Sequence, residues 1–300
     1  MSNPAINSIE DAKNYAIDAT NRRLSPEEAT NKLSEYRKNL AKANHPDDQQ
    51  YWQEYIGELE KWLDSDNYKQ GTYPQGIDSL IFELVEWRSS IQAFQEVELS
   101  NEQFRSSHFF ALWQSGAAYA IACILGKLTS KHPKDNSLSN VWKCIMPYIV
   151  EDMACSEEEA ATITQKLHRT EGHFTNANSK AMLLRNKIVA HNEWSPRIEW
   201  SDLDRDIEIL ARVWAIIVGF CSYGVLFPFP QPDTAFNGLG NTISPMELEN
   251  LRKERSLYID RFRIWTRKNL ATGGLDSRSP AFAEISITSQ LVSHDNNLAI

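Results

Sequence analysis

The chain has 300 residues, with 40 Asp and Glu against 31 Lys and Arg, a net charge of −9 and a pI near 5.4. This balance excludes broad coating of nucleic acid and charge-driven attachment to an anionic membrane. A composition 42% hydrophobic and 24% charged excludes a mainly disordered chain, and 12 Gly and 12 Pro are too few for a turn-rich all-β fold.

Helix-start signals divide the chain. A Ser followed three residues later by Glu or Gln is a capping box, in which each side chain satisfies a free backbone amide. It occurs at Ser25/Glu28, Ser100/Gln103, Ser156/Glu159 and Ser244/Glu247, with Pro26 and Pro245 at the first helical position. Apolar residues then recur at three- and four-residue spacing, as in Tyr51, Tyr55, Leu59, Trp62 and Leu63. A first region, 1–99, is predicted to hold helices near 8–21, 25–43, 47–64 and 76–98. The second, 100–228, carries the most apolar helices, near 101–130, 138–150, 156–170, 178–193 and 202–227. The third, 229–300, follows the proline-rich linker Phe227–Asp233, holds a helix near 245–270 and ends in a tail. Only Glu284–Val292 alternates as a short strand does. The expected class is all-α, a helical bundle with an additional N-terminal helical region and a C-terminal helix.

The cysteines, Cys123, Cys144, Cys155 and Cys221, form no CxxC pair and read as small core residues. The first sixteen residues lack the basic and apolar segments of a signal peptide. The apolar run 111–126 is broken by Gln114 and Ser115, and the run 213–229 is shorter than the ~20 residues a span needs. Both read as buried bundle helices. The expectation is a cytoplasmic protein with no membrane partner, no cofactor and no metal. His168 and His173 lie five apart, but Gly172 interrupts their helix and no carboxylate–histidine ligand set surrounds them. No phosphate loop or nucleophile elbow is present.

The segment that stands out runs Met182-Leu-Leu-Arg185-Asn186-Lys187-Ile-Val-Ala-His191-Asn-Glu193. Arg, an adjacent amide and a His suit RNA cleavage without a metal. An imidazole titrating near ~6.5 can take a 2′-hydroxyl proton at cellular pH. A guanidinium fork can hold the phosphate and stabilise the charge that develops as the 2′-oxygen attacks. On one straight helix, six steps of 100° leave Arg185 and His191 about 120° apart around the axis and about 9 Å apart along it. Either Arg185 reaches round or a second copy of the chain completes the site. The alternative reading is a polar helix end, with Arg185 paired to an acid and His191 capping the C-terminus.

Arg185-Asn186, then Lys-Ile-Val-Ala and His191, resembles the signature of the HEPN superfamily (higher eukaryotes and prokaryotes nucleotide-binding), in particular its bacterial abortive-infection branch. The resemblance covers about 100–227 and includes the long apolar helix 109–128 upstream and the closing apolar helix 207–227. It implies an α-helical bundle that dimerises, and a metal-independent endoribonuclease acting as a toxin or in defence against phage. Arg185 and His191 would then be catalytic and Asn186 supporting, in a site composite between two chains. Some relatives work with an antitoxin, so a partner or sensor protein is implied as well. Others have lost catalysis, which leaves open a non-catalytic scaffold that binds a partner protein or a nucleotide.

Residues 251–268 hold seven basic and two acidic side chains interleaved with Tyr258, Phe262 and Trp265. Lys187, Arg255, Arg261, Arg263 and Arg267 are the candidates for RNA contact. The competing reading is an amphipathic packing helix, with Leu251, Leu257 or Tyr258, Phe262 and Trp265 turned inward. Trp52, Tyr55, Trp62 and Trp87 recur at helical spacing and are expected in the core. Residues 1–100 carry 18 acidic and 10 basic side chains, so the acidity of the whole chain belongs to this region.

Overall fold

The computed structural model describes residues 6–20, 26–71, 76–133, 135–189, 198–221 and 235–276. Among the described residues the fold is all-α, and the one β feature is an isolated antiparallel bridge between Lys268 and Leu275. In chain order come α1 (Ile9–Thr20), α2 (Pro26–Lys42), α3 (Pro46–Asp64), α4 (Asp66–Gln70), α5 (Ile77–Glu96) and α6 (Glu102–Arg105). Then follow α7 (His108–Leu128), α8 (Leu138–Glu151), α9 (Glu157–Lys166), α10 (Lys180–Leu184), α11 (Trp200–Phe220) and α12 (Pro245–Arg267). Ser25, the linker 227–233 and the strand candidate 284–292 lie outside the described residues.

The compact units cut the chain at places other than 99 and 228. One unit joins residues 1–21 to 77–300, and the other is 22–76. The reason lies in α5, which is buried on most of its circumference, including Ile77, Leu80, Ile81, Leu84, Val85 and Ile91. In the larger unit α11 is the central element, buried around its whole circumference from Ile209 to Val218, as a helix enclosed by others must be. Against it pack α1, α7, α8, α10 and α12, while α5 lies against α7 and α12. Residues such as Ile121, Leu125, Trp142, Ile145, Leu210, Val213 and Phe262 fill the space between them. Full burial stabilises by about 1.5–3 kcal/mol for each large aliphatic side chain.

Two arginines are buried in this unit. Arg88 of α5 donates from Nε and Nη2 to Asp204 of α11 at 2.8 and 2.7 Å. Its guanidinium lies 4.9 Å from the Tyr258 ring centroid and 5.3 Å from that of Trp200. The Tyr258 hydroxyl donates to the same carboxylate at 2.7 Å. Burial first, and the Asp204 charge next, hold that phenol well above its usual pKa. Arg212 of α11 donates to both oxygens of Glu159 at 2.8 and 2.7 Å, to Asp276 at 2.7 Å and to the Thr266 carbonyl at 3.1 Å.

The helix starts are partly as predicted. Ser244 and Glu247 form a full capping box at α12, and Ser156 accepts from the Glu159 amide at 3.2 Å. Ser100 does not cap. Asn101 caps α6 and Ser107 caps α7, while the Ser100 amide donates to the Glu247 carboxylate at 2.5 Å. That bond, with those from Ser244, holds Glu247 down at about 2.

Burial of the apolar runs is also partial. By length and composition α7 could cross a membrane, and 39% of its most apolar window is buried. Its second half, from Ala117, faces the core, whereas Phe109, Leu112 and Tyr119 are 67%, 58% and 41% exposed. Cys155 and Cys221 are buried and Cys123 and Cys144 partly so, all as free thiols. Burial pushes Cys155 and Cys221 up to about 12.

In the smaller unit α2 and α3 pack side by side, with α4 following α3. Ala29 is the one buried side chain among its described residues. Trp52, Tyr55 and Trp62 are therefore not core, whereas Trp87 of the larger unit is half-buried and packs against the core. Two helices cannot enclose a face this wide, so Tyr36, Tyr51, Trp52 and Tyr55 cluster on one another, with centroids 4.6–5.9 Å apart for the closer pairs. With so little buried area, amides of residues 26–71 should exchange with deuterium well before those of α11, as mass spectrometry of the intact chain would read.

Asp78 of α5 accepts the Trp214 indole N–H at 2.7 Å, yet burial lifts its carboxyl from 3.8 to about 6. A raised acid stabilises the fold when protonated, fully below about pH 4, and that contribution is lost as pH rises through about 6. Asp78→Asn keeps the acceptor and removes the buried charge. It should be more stable than the parent at pH 7 by roughly 1–3 kcal/mol, with a flatter profile between about pH 4 and 6 in urea denaturation.

Candidate functional site

The motif segment begins at Ser179, the N-cap of α10, whose hydroxyl accepts from the Met182 amide at 3.1 Å. The same hydroxyl donates to Asp206 of α11 at 2.5 Å, which fixes the start of α10 against the central helix. After Leu184 the backbone leaves the α register and Arg185–Val189 form a π turn. The segment is thus not the single straight helix expected over 178–193, and steps of 100° do not describe the path onward from Arg185. Such π turns re-aim side chains and recur at functional sites. His191 lies outside the described residues.

Arg185 is exposed, and its stem lies against α7 at Gly126. A Cβ on Gly126 would stand 2.4 Å from Arg185 Cδ and 2.5 Å from Nε, so only glycine leaves this groove open. Arg185 Nη1 donates to Asn186 Oδ1 at 3.3 Å, and Asn186 Nδ2 donates to Asn176 Oδ1 at 2.6 Å. Among the described residues Arg185 forms no ion pair, which removes from those residues the acid partner that a purely structural arginine would take. Lys187 is exposed on the same turn.

Beside this turn lies a cleft of about 250 Å³. Gln114, Ser115 and Tyr119 of α7 line one wall, Leu184 another, and Glu199 and Trp200 at the start of α11 a third. The cleft meets the motif segment at Leu184, the residue before Arg185, and two aromatic rings and several polar groups line it. Sequence spacing did not mark this cleft, because its walls come from three separated segments.

The basic helix α12 divides the other candidates. Arg255 is 1% exposed and ion-paired with Glu86 of α5, so it is a packing residue and not an RNA contact. Arg261 is exposed and lies 5.8 Å from the Tyr258 ring centroid. Arg263 is exposed and pairs with Asp260 at 2.8 Å, while Arg267 is half-buried. Leu251, Tyr258 and Phe262 point inward and Leu257 outward, which is the amphipathic arrangement. Among the described residues no three His, Cys, Asp or Glu side chains gather as a metal would require.

Gly126→Ala tests how Arg185 is seated. Alanine favours the helix by about 1 kcal/mol, and the obstructing atoms belong to a flexible side chain. The variant should therefore fold with unchanged or slightly higher stability while the Arg185 Nε resonance shifts in a proton–nitrogen spectrum. No family model, curated protein or solved structure matches the chain.

Proposed function

We propose that the chain is a metal-independent endoribonuclease of HEPN type, acting in the cytoplasm as a toxin or in anti-phage defence. Its larger unit is read as an HEPN-like bundle, and its site as composite between the two copies of a homodimer. The observation that carries this reading is Arg185 itself, exposed, without an ion-pair partner among the described residues, seated over Gly126 and flanked by Asn186. Two further features support it. The cleft that Leu184 lines, one residue before Arg185, offers Tyr119 and Trp200 for stacking of an RNA base. The exposed Phe109, Leu112 and Tyr119 on α7 give an apolar face on the helix that seats Arg185, suited to a second copy.

In this mechanism His191 takes the 2′-hydroxyl proton and the freed oxygen attacks the adjacent phosphorus. Arg185 holds a non-bridging oxygen while charge accumulates on it, and Asn186 orients the guanidinium. The bond to the 5′-oxygen breaks, that oxygen takes a proton from an imidazolium of the second copy, and a 2′,3′-cyclic phosphate remains. Lys187, Arg261, Arg263 and Arg267 are left as contacts to the backbone, and a partner protein or antitoxin as the control on activity.

The purified protein should cleave total RNA in EDTA and leave 2′,3′-cyclic ends, as end-specific sequencing reads. Arg185→Ala and His191→Ala should each lower the rate by about 10²–10⁴-fold. RNA that stays intact with the parent, in parallel with phage-challenged cells whose growth does not depend on His191, would sink the nuclease in favour of a non-catalytic HEPN-like scaffold.

A further inference from the structure

A second cleft, of about 460 Å³, opens on another part of the larger unit. It lies between the end of α9, one face of α11 and the loop that follows α12. Its lining includes Lys166, Arg205 and Lys268, with Glu208 as the only carboxylate among its lining residues. That carboxylate is already engaged, accepting from Lys268 Nζ at 2.5 Å. Lys166 and Arg205 have no acidic partner among the described residues, so the cleft carries an excess of positive charge that nothing described neutralises.

The remaining titratable group of the lining, His173, is fixed in place from several directions. Its Nε2 meets Asp206 Oδ1 at 2.5 Å, and Asp206 is 1% exposed with its other oxygen taken by Ser179. The His173 amide donates to the Lys166 carbonyl at 2.8 Å. Gly172 permits that return of the chain, since a Cβ there would stand 2.4 Å from the His168 carbonyl oxygen and 2.5 Å from that of Lys166. The far wall is equally anchored. Asn269 Oδ1 accepts the amides of Ala271 and Thr272 at 2.9 and 3.0 Å, and the Leu270 amide donates to buried Glu159 at 2.9 Å.

We propose that this cleft is a binding site for a small phosphomonoester of nucleotide size. The Arg205 guanidinium and the Lys166 ammonium line one concavity without acidic partners among the described residues. Beside them lie the Lys268–Glu208 pair and an imidazole fixed by Asp206. Two such cations match a phosphate dianion better than any neutral ligand. The volume falls within the range of small-molecule sites, about 300–1,000 Å³. Ile209 and Leu270 supply apolar surface for the organic part. The site shares no residue with the ribonuclease reading and stands without it.

The test is calorimetric titration of the full chain with AMP, with inorganic phosphate and with the dinucleoside ApA, which has a diester and no terminal phosphate. AMP and phosphate should bind, more weakly at higher salt, and ApA should not. Arg205→Ala and Lys166→Ala should each weaken AMP binding by at least about tenfold without changing the melting temperature. His191→Ala should bind AMP as the parent does, which separates this site from the nuclease. Absence of AMP and phosphate binding up to about 5 mM, binding that survives both substitutions, or ApA binding as tight as AMP would each overturn the proposal.

Discussion

The larger unit depends on one buried guanidinium. Arg88 is 2% exposed, and three helices meet on it: its own α5, α11 through Asp204 and Trp200, and α12 through Tyr258. Its charge is balanced by a two-point bond to a single carboxylate, and the Tyr258 hydroxyl fills another position on that carboxylate. Removing one partner of such a pair leaves the other charge buried and costs about 3–5 kcal/mol, whereas the intact pair adds modest net stability. Its contribution is therefore mainly geometric. It sets the rotation of α5 and α12 about the central helix, and so which side chains each turns outward.

The same logic explains where the basic residues of α12 go. The local excess of positive charge in 251–268 suggests a nucleic-acid surface, yet Arg255 faces inward to Glu86. Lys268 is held by Glu208, and the Arg212 network with Glu159 and Asp276 anchors the end of the helix. Two of the eighteen acidic residues in 1–100, Asp78 and Glu86 of α5, bond to partners inside this unit, Asp78 to the Trp214 indole and Glu86 to Arg255. Net charge by region is thus a poor guide to field here, because charges that sit far apart in sequence cancel in space.

Most helices were legible because their signals are local. Ser244, Pro245 and Glu247 announce α12 within four residues, and the fold keeps them. Ser100 carries the same local signal, yet its neighbour Asn101 caps α6, and a carboxylate 147 residues away takes the Ser100 amide. The aromatics of α3 keep helical spacing but lack a third element to cover them, and spacing alone cannot tell a covered stripe from an open one. Arg185 and Asn186 were legible as chemistry, whereas the π turn and the Gly126 groove depend on α7, some sixty residues earlier. His173 was set beside His168 by sequence proximity, while its actual partner is Asp206. A signal for it existed: Asp206 falls in the inward row of α11 with Leu203, Ile207 and Leu210, and a buried acid must have a partner.

The segment between α9 and α10 is held at both ends, by Gly172 against the Lys166 and His168 carbonyls and by Ser179 on Asp206. Between those two fixed points, seven residues apart, His173 lines one cleft and Asn176, three residues on, holds the amide beside Arg185. One short span therefore sets the position of both the imidazole and the amide, and a substitution that moved its backbone would disturb the two together.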